Sequence, residues 1–206
     1  MAVALQQFML AGPAGNLEGL VHQPDDIPCG IAVVAHPLPT MGGTMENKVA
    51  VMLAKTFAEL GCVAFRFNFR GVGASEGAFT GGDGETEDMV AVTRYAQEQF
   101  GEELPLLLAG FSFGGYVAAR AAQQLQPQHL VLAAPAVGRF AMPAVSPDTL
   151  VIHGEHDDVV PLAHAMDWAR PQQLPIVVLP QAEHFFHGRL TQLRDIVKRH
   201  FSGVEL

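Results

Sequence analysis

A chain of 206 residues with 49% hydrophobic content carries enough apolar material for one domain with a substantial core, and residues 1–206 read as a single unit. Twenty-one acidic residues against twelve basic ones leave a formal net charge of −9 with no Lys/Arg cluster, which excludes a nucleic-acid backbone as partner. No apolar run approaches the ~18 residues of a membrane span; no Lys or Arg precedes Lys48, and Gln6 and Gln7 interrupt the apolar start, so the expected place is the cytoplasm.

Segments Ala4–Leu10 and Asn16–His22, joined by Gly12-Pro13-Ala14-Gly15, predict an antiparallel hairpin. Ile31–Ala35 is a buried strand, followed by a helix over Asn47–Leu60 with Val49, Met52, Leu53, Phe57 and Leu60 on one face and Gly61 at its end. Strand Val63–Phe67 leads into a glycine-rich loop, Gly71–Gly84, and a helix from about Glu85 to Phe100 with Met89, Val92, Ala96 and Phe100 inward. Cys29 and Cys62 each sit just before a predicted strand; two cysteines are too few for a disulfide framework, and reduced thiols are expected. Strand Leu106–Ala109 precedes a helix over Gly114–Gln124. Strands His129–Ala133, Thr149–His153 and Ile176–Leu179 then alternate with helices near Leu162–Arg170 and Gly188–His200. Such alternation means a mostly parallel twisted sheet of about seven or eight strands covered on both faces, with chemistry at the carboxyl ends of the strands.

The junction Ala109-Gly110-Phe111-Ser112-Phe113-Gly114-Gly115 stands at one of those ends. A serine at a sharp strand-to-helix turn has its hydroxyl exposed, and glycines two positions away on each side prevent collision across the turn. Only four serines occur in the chain, so flanking glycines in this context mark Ser112 as a candidate nucleophile rather than a chance packing turn. A nucleophilic hydroxyl needs a base within hydrogen-bond reach and a carboxylate that orients the base. Two later loops offer them: His153-Gly154-Glu155-His156-Asp157-Asp158-Val159-Val160-Pro161 and Gln181-Ala182-Glu183-His184-Phe185-Phe186-His187-Gly188. Their His and Asp spacing does not match a helical zinc motif, so metal catalysis is not expected.

Five segments together resemble the α/β-hydrolase superfamily, more narrowly its small lidless bacterial serine esterase-like branch. They are His36-Pro37-Leu38-Pro39 with Gly42-Gly43-Thr44-Met45, Asn68-Phe69-Arg70-Gly71-Val72-Gly73-Ala74-Ser75, the serine turn, the acid loop and the His184-Phe185-Phe186 turn. The resemblance implies an α/β-hydrolase fold without a lid domain, with Asp157 as acid (Asp158 its rival) and His184 as base (His187 its rival). His36, His153 and His156 read as structural. The backbone N–H of Phe113, just after the nucleophile, is one candidate oxyanion donor. The loop after the first parallel strand should supply another; Pro37 and Pro39 have no N–H, leaving Leu38, Thr40 or Met41, and the resemblance selects Leu38.

The glycine loop lacks both a dinucleotide fingerprint and a P-loop lysine, and an Arg70–Asp88 ion pair is expected to hold it. Ala133–Pro147 is too short for a multi-helix cap, so an open site is expected, with Phe111, Phe113, Met41, Met142, Phe185 and Phe186 as candidate apolar walls. The expected function is hydrolysis of small carboxylic esters through an acyl-serine, by a monomer or homodimer, without cofactor, metal or membrane. Thioesters, lactones, small amides and acyl transfer use the same groups, and a non-catalytic binding protein on this fold is the alternative of a different class. Ser112 excludes a dehalogenase, which needs a carboxylate at that turn.

Overall fold

Strands β1 (Ala4–Gly12) and β2 (Gly15–Gln23) form the opening hairpin, which runs to the turn itself, with Gly12 paired to Gly15. Strands β3 (Gly30–Ala35), β4 (Cys62–Phe67), β5 (Leu106–Phe111), β6 (His129–Ala133), β7 (Leu150–Gly154) and β8 (Ile176–Leu179) are mutually parallel, and β2 joins them antiparallel to β4. The computed structural model describes residues 4–203, and its eight strands lie in the order β1-β2-β4-β3-β5-β6-β7-β8.

Helices α1 (Lys48–Glu59) and α5 (Leu190–His200) cover one face, while α2 (Asp83–Phe100) and α3 (Phe113–Leu125) cover the other; α4 (Leu162–Ala169) follows β7. The central strands show why both faces must be covered. Ile31, Val33, Phe65, Leu106 and Leu108 pack with Met89, Val92, Ala96 and Val117. Their neighbours in sequence, Ala32, Val34, Ala64, Leu107 and Ala109, pack with Val49, Leu53, Phe57, Leu193 and Val197. Successive residues of a strand point to opposite faces, so continuous apolar runs are what a doubly covered parallel sheet requires.

Residues 134–149, between β6 and β7, form a strap without a helix, crossed only by a bridge between Val137 and Phe140. Among the described residues no helix is long and apolar enough to cross a membrane. Cys29 donates its N–H to the Gly61 carbonyl at 3.1 Å, and Gly30 stands opposite Cys62, so the two free thiols sit together at the amino ends of β3 and β4. Burial pushes the Cys62 thiol up, and the neighbouring Cys29 adds to this.

The glycine loop is tied at both ends. Glu18 on β2 accepts from the Asn68 side chain at 2.7 Å and from the Ala74 N–H at 2.6 Å, while Ser75 donates to the Asn68 carbonyl at 2.8 Å. Arg70 donates to Asp88 through Nη2 at 2.7 Å and Nε at 3.0 Å, and its N–H adds a third bond to the same carboxylate at 2.9 Å. Burial works against the ionised Asp88 carboxyl and pushes it up, with the Arg70 bonds opposing this; the Asp88 side chain is 0% exposed. Removing one partner of a buried pair leaves an uncompensated charge. Arg70→Ala should therefore lower stability by about 3–5 kcal/mol in urea unfolding; an unchanged midpoint would show that the pair does not hold the loop.

Candidate active site

The turn from β5 into α3 places Ser112 at φ 55° and ψ −118°, a left-handed conformation that a residue with a side chain occupies only when its surroundings enforce it. The enforcement is visible. Ser112 donates its N–H to the Ala133 carbonyl at 3.0 Å, and its own carbonyl accepts from Gly115 at 2.9 Å and Ala136 at 3.1 Å. A Cβ on Gly114 would run into the carbonyl oxygens of Ala35 and His36, and one on Gly110 into the Gly114 carbonyl. Glycine on both sides therefore lets α3 start directly against β3 with Ser112 at the apex.

His184 comes from the turn after β8, where Phe186 and Ala182 anchor the chain in the α1/α5 core. Its Nε2 lies 3.0 Å from Ser112 Oγ, and its Nδ1 lies 2.7 Å from Asp157 Oδ2. Asp157 follows β7; its other oxygen accepts the N–H groups of Val159 at 3.0 Å and Val160 at 2.6 Å, which fixes the carboxylate in place. With Asp157 accepting, Nδ1 carries the proton and Nε2 is left to accept from the serine. All three residues are buried, Ser112 at 8%, Asp157 at 5% and His184 at 2% exposure, so the relay is screened from bulk water.

The rival positions stand apart from this relay. Asp158 is exposed, and His187 is exposed beside Glu183 at 3.4 Å. His156 faces Glu155 in solvent at 3.9 Å. His153 is buried, with Nε2 2.8 Å from the Val160 carbonyl and 3.5 Å from Asp157 Oδ2, and burial holds its pKa below the usual histidine range. It braces the acid loop from behind. Among the described residues no group of three or more His, Cys, Asp or Glu is disposed to hold a metal ion.

Ser112 and His184 open into a cavity of about 250 Å³ lined also by Leu38, Met41, Val159 and Phe185. Met41 is 78% and Phe185 43% exposed, so they form its rim. The other candidate walls do not line it, although Phe111 packs against the His184 ring with centroids 5.0 Å apart. Phe111, Phe113 and Phe186 are fully buried in the two cores, because strand alternation and the helix start turn them inward, and Met142 packs partly buried beside the α2/α3 core. Met41 spends its N–H on the Leu38 carbonyl at 3.1 Å, whereas the N–H groups of Leu38 and Phe113 take no part in the loop and turn hydrogen bonds. Leu38 lines the cavity and Thr40 does not. Two further lining residues were not expected at the site: Asn47, which also caps α1, and Arg139 on the strap. Arg139 lies in no periodic segment or motif, and Asn47 was expected only as the start of a helix.

Three comparisons bear on this arrangement. A family model described as serine aminopeptidase, S33, matches residues 38–148. The uncharacterized protein RP471 of Rickettsia prowazekii (strain Madrid E) is 34% identical over 149 residues, 72% of this chain, and the match spans 58% of that protein's length. An α/β serine hydrolase without lid from Xanthomonas campestris superposes with a TM-score of 0.91 at 38% identity, over 98% of this chain and 95% of its own. An α/β serine hydrolase homologue from Coxiella burnetii gives 0.84 at 37% identity, over 94% and 96%. Est1E of Butyrivibrio proteoclasticus, solved with ferulic acid bound, shares the fold at 19% identity and a TM-score of 0.79, over 95% and 98%.

The loop that presents Leu38 is anchored by His36. Its Nδ1 lies 2.7 Å from the Pro37 carbonyl and its Nε2 accepts from the Phe69 N–H at 3.1 Å, so the ring is neutral with the proton on Nδ1. Burial lowers its pKa to about 4. His22 is likewise neutral: its Nε2 accepts from Arg66 Nε at 2.9 Å, and burial and then Arg66 lower it to about 4. Both rings protonate near pH 6.5 once unfolded, so below that pH the unfolded chain binds more protons. Their contribution is full above pH 6.5 and is lost as pH falls towards 4, each ring accounting for about 3 kcal/mol. Urea midpoints measured at pH 7, 5.5 and 4.5 should fall steadily, and His36→Asn should flatten that slope; a pH-independent midpoint would contradict the neutral assignment.

Proposed function

Because this chain belongs to the α/β-hydrolase family of serine hydrolases described as serine aminopeptidase, S33, we propose that it hydrolyses small carboxylic esters through Ser112, His184 and Asp157. The observation that carries the reading is the pair of hydrogen bonds in series, Ser112 Oγ to His184 Nε2 at 3.0 Å and His184 Nδ1 to Asp157 at 2.7 Å. Ser112 Oγ attacks the ester carbonyl carbon while His184 Nε2 takes the hydroxyl proton. Asp157 keeps the proton of Nδ1 in place and stabilises the imidazolium that forms. The N–H groups of Phe113 and Leu38 receive the oxyanion of the tetrahedral intermediate, where each fixed donor is worth about 10²–10³ in rate. Collapse expels the alcohol, which takes the proton from His184; water activated by the same ring then releases the acid and restores Ser112.

The cavity favours an ester over an N-terminal peptide. An aminopeptidase must hold a substrate α-ammonium, which calls for a carboxylate in the pocket, and among the described residues no acidic side chain lines this one. Its rim of Met41 and Phe185 instead suits an apolar acyl chain. The strap between β6 and β7 leaves the cavity open to solvent, in keeping with a small diffusible substrate.

A fluorophosphonate probe should label the folded protein at Ser112 and leave denatured protein unmodified, with the site mapped by mass spectrometry. Ser112→Ala should abolish ester turnover, and Asp157→Asn should lower kcat by about 10³–10⁴ while the fold persists. Absence of labelling by probes of several sizes would favour a binding protein on this fold, and labelling elsewhere would reassign the nucleophile.

A further inference from the structure

The cavity beside Ser112 is lined by backbone, apolar groups, Asn47 and one permanently charged side chain, Arg139. Arg66, Arg70, Arg120, Arg170 and Arg194 each have a carboxylate partner, while Arg94, Arg139, Arg189 and Arg199 have none among the described residues, and of these four Arg139 lines the cavity. Arg139 is exposed and makes no ion pair or side-chain hydrogen bond among the described residues. An arginine facing solvent is common; one that lines the cavity of the nucleophile in a chain of net charge −9 is not explained by solubility.

Its placement is built. Three residues earlier, Ala136 donates to the carbonyl of Ser112 itself at 3.1 Å. One residue later, Phe140 stacks on Tyr116 with ring centroids 4.8 Å apart and packs against Phe113 at 5.1 Å. Between these pins the chain turns at Gly138, whose φ of 77° disfavours other residues and where a Cβ would press on the His164 ring. The Arg139 Cα is thus fixed relative to the nucleophile by contacts on both sides, while its guanidinium, with five donors in a planar fork, is left uncommitted.

We propose that Arg139 is a specificity-determining residue that selects esters carrying an anionic group, a carboxylate or a phosphate, near the scissile bond. The proposal rests on the ester hydrolase reading above and narrows its substrate class. The guanidinium pairs with the substrate anion, and the apolar rim receives the uncharged part. Asp157, the carboxylate of the relay, is buried and bonded to His184 and two N–H groups, so it does not compete for Arg139.

The test compares matched substrates. The p-nitrophenyl monoester of adipic acid and p-nitrophenyl hexanoate carry the same number of acyl carbons and differ by a terminal carboxylate. A second pair, 4-carboxyphenyl butyrate and phenyl butyrate, places the charge on the alcohol side. Taking each rate as variant over wild type cancels intrinsic reactivity. Arg139→Gln should lower kcat/KM for the anionic member of at least one pair about tenfold further than for its neutral partner. Arg139→Lys should retain part of the preference, and added salt should erode it in the wild type, because an exposed charge is screened. Equal losses on charged and neutral esters, or no loss on either, would overturn the assignment while leaving the hydrolase reading intact. Wild-type protein that turns over no ester and is not labelled at Ser112 would overturn both.

Discussion

The close contact of the Ser112 turn with the first parallel strand governs the rest of the molecule. A serine at φ 55° is costly by itself, on the order of 1–3 kcal/mol, and is held only because the chain on either side has nowhere else to go. Gly110 and Gly114 allow α3 to begin against the carbonyls of Ala35 and His36, and that contact brings the Leu38 loop beside Ser112. The same turn binds β6 through Ala133 and the strap through Ala136. Sheet, Leu38 loop and strap therefore share one fixed point, and the geometry of the site is a property of the sheet core rather than of flexible loops.

Electrostatics follow from where each group stands relative to that point. The relay is buried, so its hydrogen bonds are directional and unscreened, and Asp157 is fixed by two backbone N–H groups in addition to His184. The supporting histidines, His22 and His36, are held neutral by burial and act as wedges with defined donors and acceptors. Arg70 and Asp88 instead keep the glycine loop in place with a charged pair that α2 covers. Three kinds of titratable group thus have three different tasks within one small sheet protein.

Much of this was legible in the sequence. The parallel strands are continuous apolar runs between turn residues, and they appear where expected, with ends displaced by one or two residues: Cys62 and Gly30 belong to their strands, and β5 continues to Phe111. The three residues expected to form the relay lie after strands β5, β7 and β8, where a parallel sheet collects its chemistry, and they meet within hydrogen-bond distance. Other features were hidden for a physical reason. Phe111, Phe113 and Phe186 are near the site in sequence, yet strand alternation and core packing keep them out of the cavity lining, with Phe111 packed against the His184 ring instead. Arg139 lies in a strap with no periodicity, and its position follows from tertiary pins at Ala136 and Phe140 that no local pattern announces.

His184 belongs to a turn whose Ala182 and Phe186 pack with Leu193, Val197 and Phe201, so its ring is aimed by the last helix of the chain. Ser112, by contrast, is framed by β3, β5 and β6, formed from the earlier part of the sequence. The contact between them spans 72 positions and is among the slow, long-range closures of folding. The geometry that joins Ser112, His184 and Asp157 is thus a property of the completed chain, absent from any portion that lacks the last helix.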